Sequence, residues 1–270
     1  MVWPSGHLDV ESAGGGRFGS DPHSLLNEWQ AAIEWMAEAR PGAEGAIEFS
    51  ELGPPLPRPR QIFAVGLNYA EHAEEAGHLR EGVPQVFTKF PSCLAGPNAC
   101  VEVPGPRLDW EVELVVAMGA EAHSVKPEKA WSVVAGLMVG QDLSARDVQL
   151  AGAAPQWSLG KSYPGFGPTG PVLVPLANLD HPEDLEIECL LNGEPVQHAR
   201  TSQMVWPVPE LIARLSAVCT LYPGDLIFTG TPAGVGNRRL PPRYLSQGDH
   251  LVSRIESLGE LSNTFRAAGA

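Results

Sequence analysis

Glycine and proline recur so often in this chain that a fold with many turns is expected, rather than a helix bundle. The 270 residues include 29 glycines and 26 prolines, which separate short apolar runs. The runs at 62–67 and 224–230 are interpreted as strands, and Asn192-Gly193 within 185–197 predicts a hairpin. The segment 208–219 is interpreted as a helix. These features predict an α+β, β-rich fold.

A proline-rich stretch divides the chain near its N-terminus. Four prolines within 53–60 favour a stiff, extended connection. Before it, Asp21 is placed to cap a helix with Pro22 at its first position, and apolar residues recur at helical spacing through 23–40. We therefore predict a short N-terminal segment or small domain with one helix over 1–58, followed by the main domain over 59–270.

The charge of the chain restricts its partners. A formal net charge of −14 at pH 7 argues against nucleic acid or an anionic membrane, because both require clustered Lys and Arg. Apolar runs such as 133–140 are too short to span a bilayer, and the N-terminus lacks the pattern of a secretory signal. The four cysteines form no CxxC pair, which favours a reducing compartment. We expect a cytoplasmic location.

Two glutamates two positions apart lie in the apolar segment DWEVELVV at 109–116. Its Val and Leu content predicts a strand, on which Glu111 and Glu113 would project from the same face. Two like charges on one face repel each other, so a cation between them is one explanation. Glu186 and Glu188 have the same spacing and are interpreted as the solvated face of a hairpin strand. Spacing alone therefore does not identify a metal site.

A third carboxylate follows the apolar run at 133–140. The residues alone favour Asp142 as a loop residue beside a short helix, because Ser144 and Asp147 have the spacing of a capping box. If Asp142 instead met Glu111 and Glu113 in space, the three carboxylates would form an all-oxygen site. Such a site suits Mg²⁺ or Mn²⁺ rather than zinc.

The segment 66–78 predicts a strand end followed by a short helix, capped by Asn68 together with Glu71. His72 and Glu75 then lie at i, i+3 on one helix face. A carboxylate that holds an imidazole forms a general base near neutral pH. An exposed acidic surface helix is the more common explanation of this pattern.

A lysine and a glycine loop complete the candidate features. Lys161 lies in the Gly/Pro-rich stretch 158–171, where Pro155 replaces the glycine that a phosphate-binding loop requires. The lysine is either solvated or reaches into an acidic cleft toward an anionic substrate. The loop 228–236 fails as a dinucleotide fingerprint, because Arg239 stands at the third glycine position. Neither a GxSxG nor an HExxH motif occurs.

Taken together and in order, these segments resemble the fumarylacetoacetate hydrolase family. The resemblance runs from IFAVGLNYAEHAEE through LDWEVELVVAMG, VAGLMVGQDLSARDVQ and SLGKSYPGFGPTGP to GDLIFTGTPAGVG and PPRYLSQGD, over roughly 61–255. It implies a mixed β-sheet roll with a few helices, and a homodimer. It also implies one Mg²⁺ or Mn²⁺ bound by Glu111, Glu113 and Asp142, catalytic roles for His72, Glu75 and Lys161, and substrate contacts at Tyr69, Arg146, Gln149 and Thr231.

Substrates of this family are small 2-oxo acids, often with a second carbonyl at position 4. The resemblance implies a metal-dependent hydrolase that cleaves a C–C bond in an acylpyruvate- or fumarylpyruvate-like acid. In this reading the metal stabilises an enolate, and the dyad of His72 and Glu75 activates water. The same site could serve a decarboxylase, an isomerase or tautomerase, or a dehydratase. A non-catalytic binding protein on this fold is the remaining alternative.

Overall fold

The computed structural model describes residues 2–3, 6–39, 51–75 and 82–269. The strands are β1 (Val2–Trp3), β2 (Gly6–His7), β3 (Ile62–Gly66), β4 (Gln85–Thr88), β5 (Leu94–Ala95), β6 (Cys100–Val103), β7 (Leu108–Asp109), β8 (Val112–Met118), β9 (Val134–Gln141), β10 (Ser144–Ala145), β11 (Gly167–Pro175), β12 (Glu186–Leu191), β13 (Glu194–Arg200), β14 (Leu226–Phe228), β15 (His250–Ile255) and β16 (Gly259–Ala267). The α-helices are α1 (Val10–Ala13), α2 (Pro22–Leu26), α3 (Trp29–Glu38), α4 (Ala70–Glu75), α5 (Arg146–Gln149) and α6 (Val208–Ser216). Short 3₁₀ helices include Leu159–Lys161 and Gly236–Arg238. The fold is therefore α+β and strand-rich, as the sequence predicts.

The larger sheet has seven strands in the order β4-β3-β14-β8-β9-β11-β5. The pairs β14/β3 and β11/β5 are parallel, and the other neighbours are antiparallel. Every residue of the central strands β8 and β9 is buried. A strand that is covered on both faces requires a nearly continuous apolar run, so the two glutamates near the start of β8 are exceptional.

The smaller sheet has five strands in the order β13-β12-β15-β16-β6. Strands β12 and β13 form the predicted hairpin, in which Asn192 and Gly193 have φ of 53° and 83°. Both residues occupy the left-handed region that a two-residue hairpin turn requires. Strands β12 and β15 contact β8 and β9, so the main core lies between the two sheets.

The N-terminal helices cover the other face of the larger sheet. Leu26 and Leu56 pack in one buried cluster with Met138, and the Trp29 indole N–H donates to the Ala135 carbonyl oxygen over 3.1 Å. The prediction of one helix in residues 1–58 is wrong, because the described part of this segment contains α1, α2 and α3. The helical spacing of apolar residues continues across the break between α2 and α3, so periodicity could not reveal it.

The other element predictions have mixed outcomes. The strands at 62–67 and 224–230 and the helix at 208–219 are confirmed as β3, β14 and α6, and the apolar run at 133–140 forms most of β9. Asp21 caps α2 with Pro22 at its first position, as predicted, whereas the caps predicted at Ser144 and Asn68 are wrong. Helix α5 begins after Ala145, and the Ser144 hydroxyl donates to the carbonyl oxygen of Asp142. The Asn68 amide bonds to the backbone of Trp206 and Thr229, so tertiary hydrogen bonds replace local capping.

The described residues include no helix that is both long and apolar enough to cross a membrane.

Candidate active site

Three buried carboxylates meet where β8 and β9 run side by side. Glu111 lies just before β8, Glu113 is the second residue of β8, and Asp142 directly follows β9. The sheet register pairs Val112 with Gln141, and the Asp142 N–H donates to the Glu111 carbonyl oxygen over 2.9 Å. One carboxylate oxygen of each acidic residue lies within 4.8 Å of the other two. The structure thus brings together the three residues that were predicted to bind metal.

Backbone and amide contacts hold this carboxylate cluster in place. The Gln141 side chain accepts from the Glu111 N–H over 2.9 Å and donates to Ser253 Oγ in the other sheet over 2.9 Å. Glu113 Oε2 accepts from the Gly230 N–H over 2.8 Å. Gly230 has a φ of 99°, a conformation that favours glycine. The cluster is therefore built on both sheets and on the loop after β14.

Two buried lysines neutralise part of the cluster. Lys161 Nζ lies 2.7 Å from Glu111 Oε2 and 2.6 Å from Asp142 Oδ2, which agrees with a lysine that reaches into an acidic cleft. Lys89 Nζ lies 2.7 Å from Asp142 Oδ1 and also donates to the carbonyl oxygens of Lys161 and Phe166. Lys89 was not among the site residues predicted from the sequence. The sequence feature that could have indicated its burial is its place in the mostly apolar and aromatic segment VFTKF.

Arg146 connects the cluster to a fourth carboxylate. Its Nη2 lies 2.8 Å from Glu111 Oε1 and 2.6 Å from Asp109 Oδ2. Its Nη1 donates to the Gln149 amide oxygen over 2.8 Å. The predicted substrate contacts Arg146 and Gln149 therefore lie together beside the metal-site residues. Asp109 was missed, although it begins the segment DWEVELVV.

Burial and charge act differently on the two glutamates. Burial and the charges of Asp142 and Glu111 raise the pKa of Glu113 well above its usual value. Burial also acts to raise the pKa of Glu111, but the charges of Lys161 and Arg146 outweigh it and lower that pKa to about 2. Glu113 is therefore the carboxylate whose charge is less well compensated. Opposite shifts in adjacent groups are typical of functional sites.

The cluster suits a hard divalent cation. Its three possible ligands are all carboxylates, and oxygen donors favour Mg²⁺ or Mn²⁺ over zinc. The buried centre as a whole contains four carboxylates and three cationic side chains, namely Asp109, Glu111, Glu113 and Asp142 with Lys89, Arg146 and Lys161. Burial and the neighbouring carboxylates raise the pKa of Glu113, and a cation beside it would favour its charged form. The residues therefore fit a divalent metal ion.

A cavity of about 110 Å³ opens beside the cluster. Its polar lining consists of His72, Glu111, Arg146, Gln149, Lys161, Thr231, Asn237 and Arg238, and its apolar lining includes Val65, Leu67, Phe87, Leu150, Trp157 and Val235. The rings of Phe87 and Trp157 meet edge to face, with centroids 5.5 Å apart. A Cβ at Gly66 would clash with the Trp157 ring, so this glycine makes room for the cavity wall.

Helix α4 brings His72 into the cavity. His72 is buried and lines the cavity, so the alternative of an exposed surface helix does not hold for this side chain. Glu75 is the last residue of α4, and its side chain lies outside the described part of the structure. The pairing of His72 with Glu75 therefore stays a prediction.

The two remaining predicted substrate contacts lie in different places. Thr231 lines the cavity, and its hydroxyl donates to the Val112 carbonyl oxygen over 2.9 Å. Tyr69 is buried in the core, where its backbone bridges to Met204, and it is absent from the cavity lining in the described residues. Its hydroxyl has no hydrogen-bond partner within that part of the chain. Burial and the nearby charge of Glu113 raise the pKa of this hydroxyl.

Comparison with known proteins defines the class to which this fold and site belong. Residues 61–266, most of the chain, match the model of the fumarylacetoacetate (FAA) hydrolase C-terminal domain. The chain therefore belongs to the fumarylacetoacetate hydrolase family, and the resemblance seen in the sequence is confirmed.

Individual relatives in this family are enzymes of different reaction types. The chain is 42% identical over 211 residues to the mitochondrial oxaloacetate tautomerase Fahd2a of Rattus norvegicus. The aligned region covers 77% of this chain and 67% of the rat protein. A Mycobacterium smegmatis crystal structure provisionally described as HpcE is 50% identical, with a TM-score of 0.95 and coverage of 99% and 96% of the two chains. The fumarylpyruvate hydrolase of Pseudomonas aeruginosa, solved with Mn²⁺ and pyruvate, is 32% identical, with a TM-score of 0.71 and coverage of 77% and 90%.

Proposed function

We propose that this protein is a divalent-metal-dependent enzyme that hydrolyses a C–C bond in a small 2,4-dioxo acid such as an acylpyruvate. The observation that carries the proposal is the buried cluster of Glu111, Glu113 and Asp142 beside a cavity that also contains His72. Such a site combines oxygen ligands for a metal with an imidazole that can serve as a general base. The similar fumarylpyruvate hydrolase, solved with Mn²⁺ and pyruvate, supports the metal and the substrate class.

The charged residues would bind the substrate head and stabilise charge. Glu111, Glu113 and Asp142 would hold Mg²⁺ or Mn²⁺, which as a Lewis acid stabilises negative charge that develops on a carbonyl oxygen. Lys161 contributes a fixed ammonium beside the same position, because two carboxylates hold it in place. Arg146 lines the cavity and would orient the substrate carboxylate by a charge-assisted hydrogen bond.

His72 would then activate water. We propose that its imidazole, oriented by Glu75, takes a proton from a water molecule that adds to the carbonyl at carbon 4. The bond between carbons 3 and 4 breaks, and carbon 3 receives a proton. The products are pyruvate and a carboxylic acid. The apolar surface of Phe87 and Trp157 limits bulk water in the cavity, which strengthens electrostatic interactions there.

Oxaloacetate tautomerisation is a second candidate, favoured by the 42% identity to the rat oxaloacetate tautomerase. This reaction moves a proton between carbon 3 and the oxygen on carbon 2. It requires the same stabilisation of negative charge, but no water attack. The two candidates therefore differ in whether His72 must deliver water.

Proton NMR in D₂O with Mg²⁺ separates the two candidates. With acetylpyruvate as substrate, the appearance of acetate and pyruvate would support the hydrolase. Enzyme-dependent deuterium exchange at carbon 3 without cleavage, together with accelerated loss of the oxaloacetate enol, would contradict hydrolysis and support the tautomerase. Glu113→Gln should abolish either activity.

A matched control is available on β12. Glu186 belongs to the second pair of glutamates at the same spacing, is exposed, and lies 2.8 Å from His198 Nε2 on the surface. Glu186→Gln makes the same chemical change as Glu113→Gln but should leave activity unchanged. A loss of activity in both variants would show that the effect is not specific to the cluster.

We also propose that the protein is a homodimer, on the basis of its family. Light scattering coupled to size exclusion tests this proposal directly. A species at the 28.8 kDa mass of one chain would contradict it.

A further inference from the structure

Asp109 is a fully buried carboxylate at the end of β7. Its Oδ1 accepts from the backbone N–H groups of Trp110, over 2.9 Å, and Gly236, over 2.7 Å. Its Oδ2 accepts from the Asn237 N–H over 2.9 Å. Arg146 donates its Nε to the same oxygen over 2.8 Å, and its Nη2 lies 2.6 Å away. One side chain therefore holds three backbone N–H groups and a guanidinium.

These contacts connect two parts of the cavity. Asn237 and its neighbours Val235 and Arg238 line the cavity from the turn that contains Gly236–Arg238. Arg146 also lines it and reaches Glu111 Oε1 at 2.8 Å. Asp109 thus joins a wall of the cavity to the arginine that contacts a metal-site carboxylate.

The turn is shaped to approach Asp109 closely. A Cβ at Gly236 would lie 2.8 Å from Asp109 Oδ1 and would clash with the Arg243 carbonyl oxygen, so the approach requires glycine. In the described residues, Asp109 neither lines the cavity nor belongs to the three-carboxylate cluster. Its hydrogen bonds therefore reach the site through the groups that it holds.

We propose that Asp109 is a positioning residue that fixes Arg146, and through it Glu111, while holding the 235–238 wall in place. This role rests on the proposed metal site, because Glu111 is one of its ligands. Groups that orient metal ligands typically change metal affinity or activity by roughly 10–100-fold when they are mutated. Loss of the Asp109 charge should therefore weaken metal binding even though Asp109 is not a ligand.

Asp109→Asn tests this role. The substitution keeps the size of the side chain but places an amide N–H opposite the donors of Arg146 and Asn237. We expect Mn²⁺, measured by titration calorimetry, to bind at least about 10-fold more weakly. The KM for acetylpyruvate should also rise.

Asp225→Asn is the matched control. Asp225 is also fully buried and accepts from the Gln61 N–H over 2.9 Å, the Gln61 amide over 2.7 Å and the Tyr222 N–H over 2.8 Å. Asp225→Asn likewise places an amide N–H opposite hydrogen-bond donors, but Asp225, Gln61 and Tyr222 do not line the cavity. Thermal stability should fall in this variant, while Mn²⁺ affinity and KM should stay at wild-type values. Equal losses of Mn²⁺ affinity in both variants would reduce the role of Asp109 to a structural one and overturn the proposal.

Arg146→Lys provides a second route, which remains informative if Asp109→Asn does not fold. It keeps the hydrogen bonds between Asp109 and the turn but removes the guanidinium group that contacts both Asp109 and Glu111. Mn²⁺ affinity should fall in this variant, and unchanged affinity would overturn the proposal. If Asp109 acts through Arg146, the double variant should bind Mn²⁺ no more weakly than Arg146→Lys alone, and additive losses would contradict that coupling.

The wild-type protein separates this proposal from the one on which it rests. Absence of Mn²⁺ binding and of turnover in the wild type would refute the proposed function. Tight Mn²⁺ binding in the wild type with the same affinity and KM in Asp109→Asn would refute only the positioning role.

Discussion

Replacing Glu113 with glutamine should affect stability in opposite directions without and with a divalent metal. Glu113 is buried, and burial together with the charges of Asp142 and Glu111 raises its pKa. When ionised, it therefore opposes folding of the metal-free protein. Glutamine keeps the shape and an acceptor for the Gly230 N–H but removes the charge. The metal-free variant should be more stable than the wild type.

The magnitude of this gain follows from the distances in the cluster. Carboxylate oxygens at the 4.8 Å limit of the cluster repel each other by about 3.5 kcal/mol per pair at an effective dielectric constant of about 20. Lys89 and Lys161 offset part of this repulsion, because they compensate Asp142 and Glu111. We therefore expect a net gain of about 1–3 kcal/mol. Each kcal/mol corresponds to a Tm increase of about 2–4 °C in a chain of about this size.

Adding metal should reverse the order of stability. A ligand at about 1,000 times its Kd stabilises the folded state by about 4.1 kcal/mol, which exceeds the gain expected for the metal-free variant. The wild type should gain this amount with saturating Mn²⁺. Glu113→Gln lacks one of the three carboxylate ligands and should gain much less.

The difference between the metal-free proteins should also depend on pH. A glutamate with a raised pKa in the folded state contributes stability that is present below its ordinary pKa of 4.5. That contribution is lost as the pH rises through the raised pKa. The wild type should lose stability over this range while Glu113→Gln does not, so the gap should widen with increasing pH.

Differential scanning calorimetry of chelator-treated protein at several pH values, with and without Mn²⁺, measures all three effects. Glu186→Gln is the control, because an exposed glutamate should change stability by at most about 0.5 kcal/mol. The reasoning would be refuted by a metal-free Glu113→Gln protein that is less stable than the wild type. An undiminished Mn²⁺ shift in that variant would equally refute it.

Three further variants test other parts of the site. His72→Asn should lower acetylpyruvate cleavage by roughly 10²–10⁴-fold but preserve Mn²⁺ binding and enzyme-dependent deuterium exchange at carbon 3, both reactions being monitored by NMR. An equal loss of cleavage and exchange would contradict a role of His72 in water activation. Arg238→Gln should raise the KM of an anionic substrate several-fold at low salt and less at high salt, because salt screens an exposed charge at the cavity. Arg243→Gln, which removes a cation from a surface ion pair with Glu194, should leave the KM unchanged at either salt concentration. Lys89→Met should destabilise the metal-free protein by about 3–5 kcal/mol in urea unfolding, because it leaves the buried Asp142 charge without one of its partners; a loss below about 1 kcal/mol would count against this account.

Local patterns predicted much of the fold. The apolar run after Glu113 identifies β8, because a strand buried on both faces has little room for polar residues. The Asn192-Gly193 pair identifies the β12–β13 hairpin, because its tight turn needs two residues at positive φ. Both features depend on residues that are adjacent in the chain, and such features can be read from one sequence.

Predictions failed where a distant group competes with a local one. Asn68 has the spacing of a helix cap, but its amide bonds to Trp206 and Thr229. Lys89 and Asp109 give weak local signals, because what defines each of them is a buried partner far along the chain. Asp142, the partner of Lys89, is 53 positions away.

By itself, the sequence predicted that Glu111 and Glu113 point to the same side of an extended segment, and its ordered motifs indicated the family. It did not distinguish this pair from Glu186 and Glu188, which have the same spacing. The tertiary structure decided the difference: the first pair is buried and meets Asp142 from the neighbouring strand, whereas Glu186 lies exposed on a hairpin. The physical reason is that spacing sets the direction of a side chain, while burial and the approach of distant charges set its chemistry.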